Sequence, residues 1–318
     1  MKGLLSRLQY TRPVRILRAV SMRLRPWGFE GLSLYSVAAF FIEGLQKGAL
    51  TSRAAAISFR FFLAVFPVII MLLSLIPIIP IDNFQENLFE SIKGFFPGDT
   101  FNLVEATVED LVIKSHNTIF SIGFILSVFY ASNSVNAILL GFNESYNIED
   151  KGNVFIIRLA SVLLMLILGI FIFVAVVLII FSGVAFEWLV AKDFVSQENV
   201  ILLQMANGVI SLLLIYMSIT ILYNFGDFEH RKWKTFSAGA TLTTLLLILT
   251  SLGFAWFVNN FASYNKLYGS IGTFLLLLIW INLNSTILLI GFELNTSIMK
   301  AKEGKLHESS ILNNSPEV

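Results

Sequence analysis

The chain has 318 residues, 56% of them apolar and only 14% charged, with near-continuous apolar runs of about 20 residues. That excludes a soluble globule and implies a polytopic helical membrane protein. The net charge of +1 gives no bulk attraction to nucleic acid, and the lack of cysteine removes disulfides, thiol catalysis and cysteine metal sites.

Arginine interrupts the first 30 residues too often for a secretory signal, which needs an apolar run of roughly 7–15 residues. Pro13 and Pro26 bracket an expected helix with Val14, Leu17 and Val20 on one arc and Arg12, Arg15, Arg18, Arg23 and Arg25 on the other. A basic amphipathic helix of this kind rests on an anionic membrane surface. Residues 1–30 are therefore expected to form a cytoplasmic-face segment whose partner is membrane lipid, not nucleic acid.

Residues 31–300 are expected to form a membrane domain of six spans, at roughly 55–80, 119–141, 155–184, 199–223, 237–260 and 271–298. The first contains Pro67, Pro77 and Pro80, which favour a bend. Arg53 and Arg60 lead into it, seven residues apart and so one above the other on a helix. Arg158 sits just inside span three. Two readings of these arginines stay open. They either snorkel to the headgroups as anchors, or their planar forks bind the phosphate of a lipid or another anion.

The only long external connection, 81–118, shows apolar residues at helical spacing on both sides of Pro97-Gly98, which predicts two amphipathic helices capping the bundle. Span two ends with Tyr130, Asn133, Asn136 and Asn143-Glu144. Its three asparagines share a face and either line a polar cavity or lock helices together.

The loop charges give an orientation. Eighteen Lys and Arg fall on the side of both termini and four on the other, so the positive-inside rule places both termini in the cytoplasm. His116, His230 and His307 are scattered, and no nucleophile elbow, phosphate loop or metal cluster appears. No enzyme activity, cofactor or metal is expected.

The last span is the most informative. Asn282, Thr286, Glu293 and Ser297 fall within about 60° of one another on a helix, forming a polar stripe suited to other helices or a wet cavity. A carboxylate near the centre of a membrane helix costs roughly 2.5–3.5 kcal/mol, so Glu293 is expected to face the interior with a polar partner. Tyr264 through Gly272 is expected to form an external turn into this span. Residues 301–318 are polar and expected to form a disordered cytoplasmic tail.

Five blocks stand out: Ala54-Ala55-Ala56 leading to Phe66-Pro67, Phe142-Asn143 followed by Tyr146, Ser237-Ala238-Gly239-Ala240, Tyr264 through Gly272, and Gly291-Phe292-Glu293-Leu294-Asn295. Together they resemble the YihY/virulence factor BrkB family of bacterial inner-membrane proteins. The resemblance extends over about 35–300 and rests most on Tyr268, Gly269, Gly272 and Asn295. It implies six spans and inner-membrane residence without a settled activity. Members were once labelled ribonuclease BN, a label now regarded as mistaken. The pattern departs at Ser58-Phe59-Arg60-Phe61, so the family lends no role to Arg60.

The expected function is transport-related, with an anionic or lipid substrate. Glu293, Asn282, Thr286, Asn133 and Asn136 would form its intramembrane polar site, and Arg53, Arg60 and Arg158 its headgroup contacts. The alternative is a structural or assembly partner in the envelope. A continuous polar cavity around Asn136 and Glu293 would favour the first, and tight packing the second.

Overall fold

The computed structural model describes residues 20–26, 28–47, 49–75, 77, 105, 117–146, 154–192, 200–226, 233–260 and 270–313. Among these every regular element is a helix. A short helix, α1 (Leu34–Lys47), precedes α2 (Leu50–Leu75), α3 (Asn117–Tyr146), α4 (Val154–Ala191), α5 (Val200–Gly226), α6 (Ala238–Asn260) and α7 (Ser270–Asn313). Helices α2 to α7 are each long and apolar enough to cross a membrane. In hydrocarbon every backbone donor and acceptor needs an internal partner, and a helix supplies them all. Their outward faces are apolar and open, as at Phe155, Phe173, Leu252 and Trp256, because lipid is the solvent there.

The structure departs from the sequence expectation at the start of α2, at the end of α7 and in the presence of α1. Helix α2 begins at Leu50, so Arg53 lies in its first turn, and it continues through Pro67. The alanine run Ala54–Ala56 favours helix strongly, and the Ala49 carbonyl accepts from the Ser52 and Arg53 amides at 3.0 and 3.2 Å, which starts the helix early. Helix α7 runs to Asn313, so residues 301–313 of the expected disordered tail are helical. Good helix formers (Ala301, Lys302, Glu303, Lys305) extend a helix already nucleated inside the membrane. Helix α1 was not anticipated as an element. The expected cap helices at 81–118 lie outside the described residues except at 105, 117 and 118, as does the basic segment except for 20–26 and 28–30.

The core is built on α3, α5 and α7. Phe142 stacks on Phe292 with centroids 3.9 Å apart, and Tyr223 meets both rings edge-on at 5.5 Å. Ile57, Leu139, Leu164 and Leu289 close around them. A second cluster joins Val37 of α1 to Leu294, Ile298 and Ala301 of α7, which lays α1 along the last helix. Ala49, at φ +42°, makes the elbow that turns α1 into α2.

Candidate functional site

Arg53 and Glu293 come together from residues 240 positions apart in the chain. Both are buried, with 5% and 2% of their surface exposed. Arg53 Nη1 donates to the Gly141 carbonyl at 2.7 Å and to Ser145 Oγ at 2.8 Å, both near the end of α3. Its Nη2 lies 3.7 Å from Glu293 Oε2, and its Nε lies 3.9 Å from Glu144 Oε2, a carboxylate that is largely exposed. Arg53 Nε and Nη2 and Glu293 Oε2 make no hydrogen bond among the described residues. Charges this deeply buried ordinarily fill their hydrogen-bonding capacity. Here they attract one another across a gap just beyond hydrogen-bond reach.

Helix α1 covers the pair. A Cβ built on Gly44 would lie 2.0 Å from Glu293 Oε1, so only glycine lets α1 lie so close to the carboxylate. Lys300, two turns further along α7, donates to the Ser145 carbonyl at 2.8 Å and ties the same end of α3 to α7.

The rest of the stripe on α7 faces the same way. Asn282 donates to Ser58 Oγ of α2 at 3.2 Å, Thr286 bonds back to the Asn282 carbonyl, and Ser297 bonds back to the Glu293 carbonyl. On α3, Asn133 accepts from Arg158 Nη1, and Asn136 is 3.5 Å from Ser161 Oγ. Arg60 is exposed and is not brought to the Arg53–Glu293 pair. Gly272 is buried in the first turn of α7, whereas Tyr268 and Gly269 lie outside the described residues.

Asn295 plays a part that its residue type alone did not suggest. Its Oδ1 accepts from the Gly239 amide at 2.8 Å and its Nδ2 donates to Ser237 Oγ at 3.1 Å. Ser237 Oγ in turn accepts from the Ala240 amide, so Asn295 completes the N-cap of α6 from a neighbouring helix. Tyr223 works similarly, engaging Thr243 Oγ1 and donating to the Leu288 carbonyl at 2.7 Å. Spacing on one helix cannot reveal such pairings.

A cavity of about 120 Å³ opens on the opposite side of α7, lined by Tyr223, Asn224, Ser237, Asn295, Glu30 and Lys234 among others. Neither Asn136 nor Glu293 lines it. Its amides are already committed, since Asn224 both donates to the Lys234 carbonyl and accepts from the Lys234 amide. Among the described residues no three His, Asp or Glu side chains gather as a metal site would require.

The virulence factor BrkB family model matches residues 41–311, from within α1 to the end of α7. The chain belongs to that family. Among BrkB-family relatives, the ribonuclease-like protein YfkH of Bacillus subtilis (strain 168) is 28% identical over 254 residues, covering 79% of this chain and 91% of that protein. A UPF0761 membrane protein of Mannheimia succiniciproducens is 24% identical over 284 residues, covering 86% and 94%. Another, from Haemophilus influenzae (strain 86-028NP), is 22% identical over 268 residues, covering 84% and 96%. No solved structure matches the chain.

Proposed function

We propose that this BrkB-family membrane protein moves an anionic amphiphile, such as a phosphate-bearing lipid, across the bacterial inner membrane without being an enzyme. In this reading both termini are cytoplasmic, following the charge asymmetry of the loops. One observation carries the proposal: among the described residues, the buried Arg53–Glu293 pair keeps two guanidinium nitrogens and a carboxylate oxygen without hydrogen bonds. Intramembrane charges are costly to keep, and an incompletely bonded pair suits a site that exchanges partners. Arg53 would accept the substrate's anion in place of Glu293, and Gly44 would let α1 close over the carboxylate.

A second reading, a structural or assembly partner in the envelope, draws on a different observation. The cavity at this end bypasses Asn136 and Glu293, and the polar groups lining it serve helix contacts.

Purified protein in liposomes containing a fluorescent phosphatidylglycerol separates the two readings. Wild type should accelerate movement of that lipid between leaflets, and Arg53→Gln should abolish the acceleration. Removing one member of a buried pair is expected to cost about 3–5 kcal/mol of stability, so the double variant Arg53→Gln/Glu293→Gln is the control that keeps the fold. A folded double variant with wild-type lipid movement, or an inert wild type, would leave the structural reading standing.

A further inference from the structure

Arg158 does not behave as a membrane anchor. Anchoring arginines extend toward the nearer headgroups, and helical side chains lean toward the N-terminus of their helix. Either tendency would carry Arg158, in the second turn of α4, toward the α3–α4 connection. Its guanidinium goes the other way and reaches Asn133, 13 residues before the end of α3 and so about 20 Å along that helix. The neighbouring Ser161–Asn136 pair, in these antiparallel helices, places the Arg158 backbone nearer the α3–α4 connection than Asn133 is. The charged head therefore sits deeper than its own backbone, within the reach of one arginine side chain.

No carboxylate neutralises it among the described residues. Nη1 donates to Asn133 Oδ1, and the guanidinium carbon lies 5.5 Å from the Phe129 ring centroid. Phe129 is half exposed and Arg158 only partly buried, so this cation faces outward along the α3–α4 groove. One helical turn further along α3, Ile125 and Leu126 present open apolar surface. A half-open cation at depth, with amides on one side and apolar surface on the other, matches a phosphate attached to acyl chains. Free phosphate would have no use for the apolar half.

We propose that the α3–α4 groove is a lateral binding site for a membrane phospholipid, with its phosphate on Arg158 and its chains over Phe129 and Leu126. The inference rests on Arg158 and not on the transport reading, since the Arg53–Glu293 pair contributes nothing to this groove.

The test is native mass spectrometry of delipidated full-length protein in detergent, titrated separately with dihexanoyl phosphatidylglycerol, dihexanoylglycerol and inorganic phosphate. Wild type should retain the phospholipid in preference to the other two. Arg158→Gln should weaken it about tenfold or more, as loss of a charge-assisted bond predicts. In an Arg53→Gln/Glu293→Gln background, where the transport pair can hold no phospholipid, Arg158→Gln should still weaken retention about tenfold, which separates this site from the transport proposal. Asn133→Asp covers the case in which Arg158→Gln does not fold. It gives Arg158 an internal counter-ion, so it should hold or raise the melting temperature while losing the phospholipid. Equal retention by wild type and either groove variant would overturn the site. So would equal binding of dihexanoylglycerol, or inorganic phosphate binding as tightly as the phospholipid.

Discussion

Gly239 of α6 and Gly291 of α7 meet backbone against backbone. A Cβ on Gly239 would lie 2.1 Å from the Gly291 carbonyl oxygen, and one on Gly291 would lie 1.8 Å from Thr243 Oγ1 and 2.5 Å from Tyr223 Oη. Small residues at such crossings let membrane helices approach closely enough for dispersion and cross-helix hydrogen bonds to hold them. Gly291→Ala should therefore overpack the α6–α7 contact and destabilise the protein by about 1–3 kcal/mol. Gly253→Ala is the matched control, because a Cβ there meets nothing within 4 Å. Thermal unfolding in detergent should show a lowered midpoint for Gly291→Ala and none for Gly253→Ala. Equal midpoints would remove the steric argument.

Asn295 holds the first turn of α6 through both ends of its amide. Asn295→Ala strands the Gly239 amide and should cost about 1–3 kcal/mol. Asn295→Asp keeps the acceptor for Gly239 but loses the donor to Ser237, so its loss should be smaller. Amide hydrogen exchange at Gly239 and Ala240 reports this directly. It should quicken most in the alanine variant, and unchanged exchange in that variant would refute the capping role.

Glu30 links three parts of the chain. Its carboxylate accepts from Lys234 Nζ at 2.6 Å and from Lys302 Nζ. The Lys234 hydrogen bond first, and then that of Lys302, hold its pKa below the ordinary carboxylate value of 4.5. A carboxyl whose folded pKa lies below its unfolded one stabilises fully above the unfolded value, and loses that contribution as pH falls through the folded value. Glu30→Gln should thus melt earlier than wild type at neutral pH. The two melting curves should converge in acid below the usual carboxylate range, and added salt should shrink the neutral-pH gap. A gap that persists in acid would mean that Glu30 acts by packing and not by charge.

Helix number and type were legible in the sequence, because each span is a local property. A run of apolar residues long enough to cross the bilayer must form a helix, whatever lies beside it. The family was legible too, in contiguous blocks such as Tyr264 through Gly272 and Gly291 through Asn295. The stripe of Asn282, Thr286, Glu293 and Ser297 also followed from periodicity alone. Helix α1 was missed because its apolar positions cover only one face of a short segment, and that face is read correctly only once α7 is known to lie beneath it. Partners were beyond the reach of the sequence. That Arg53 meets Glu293, that Arg158 reaches along α3 to Asn133, and that Asn295 caps α6 all depend on how the helices pack. Periodicity fixes the angle at which a side chain leaves its own helix. Only the tertiary structure decides what stands opposite, because close packing selects the register and the distance between helices.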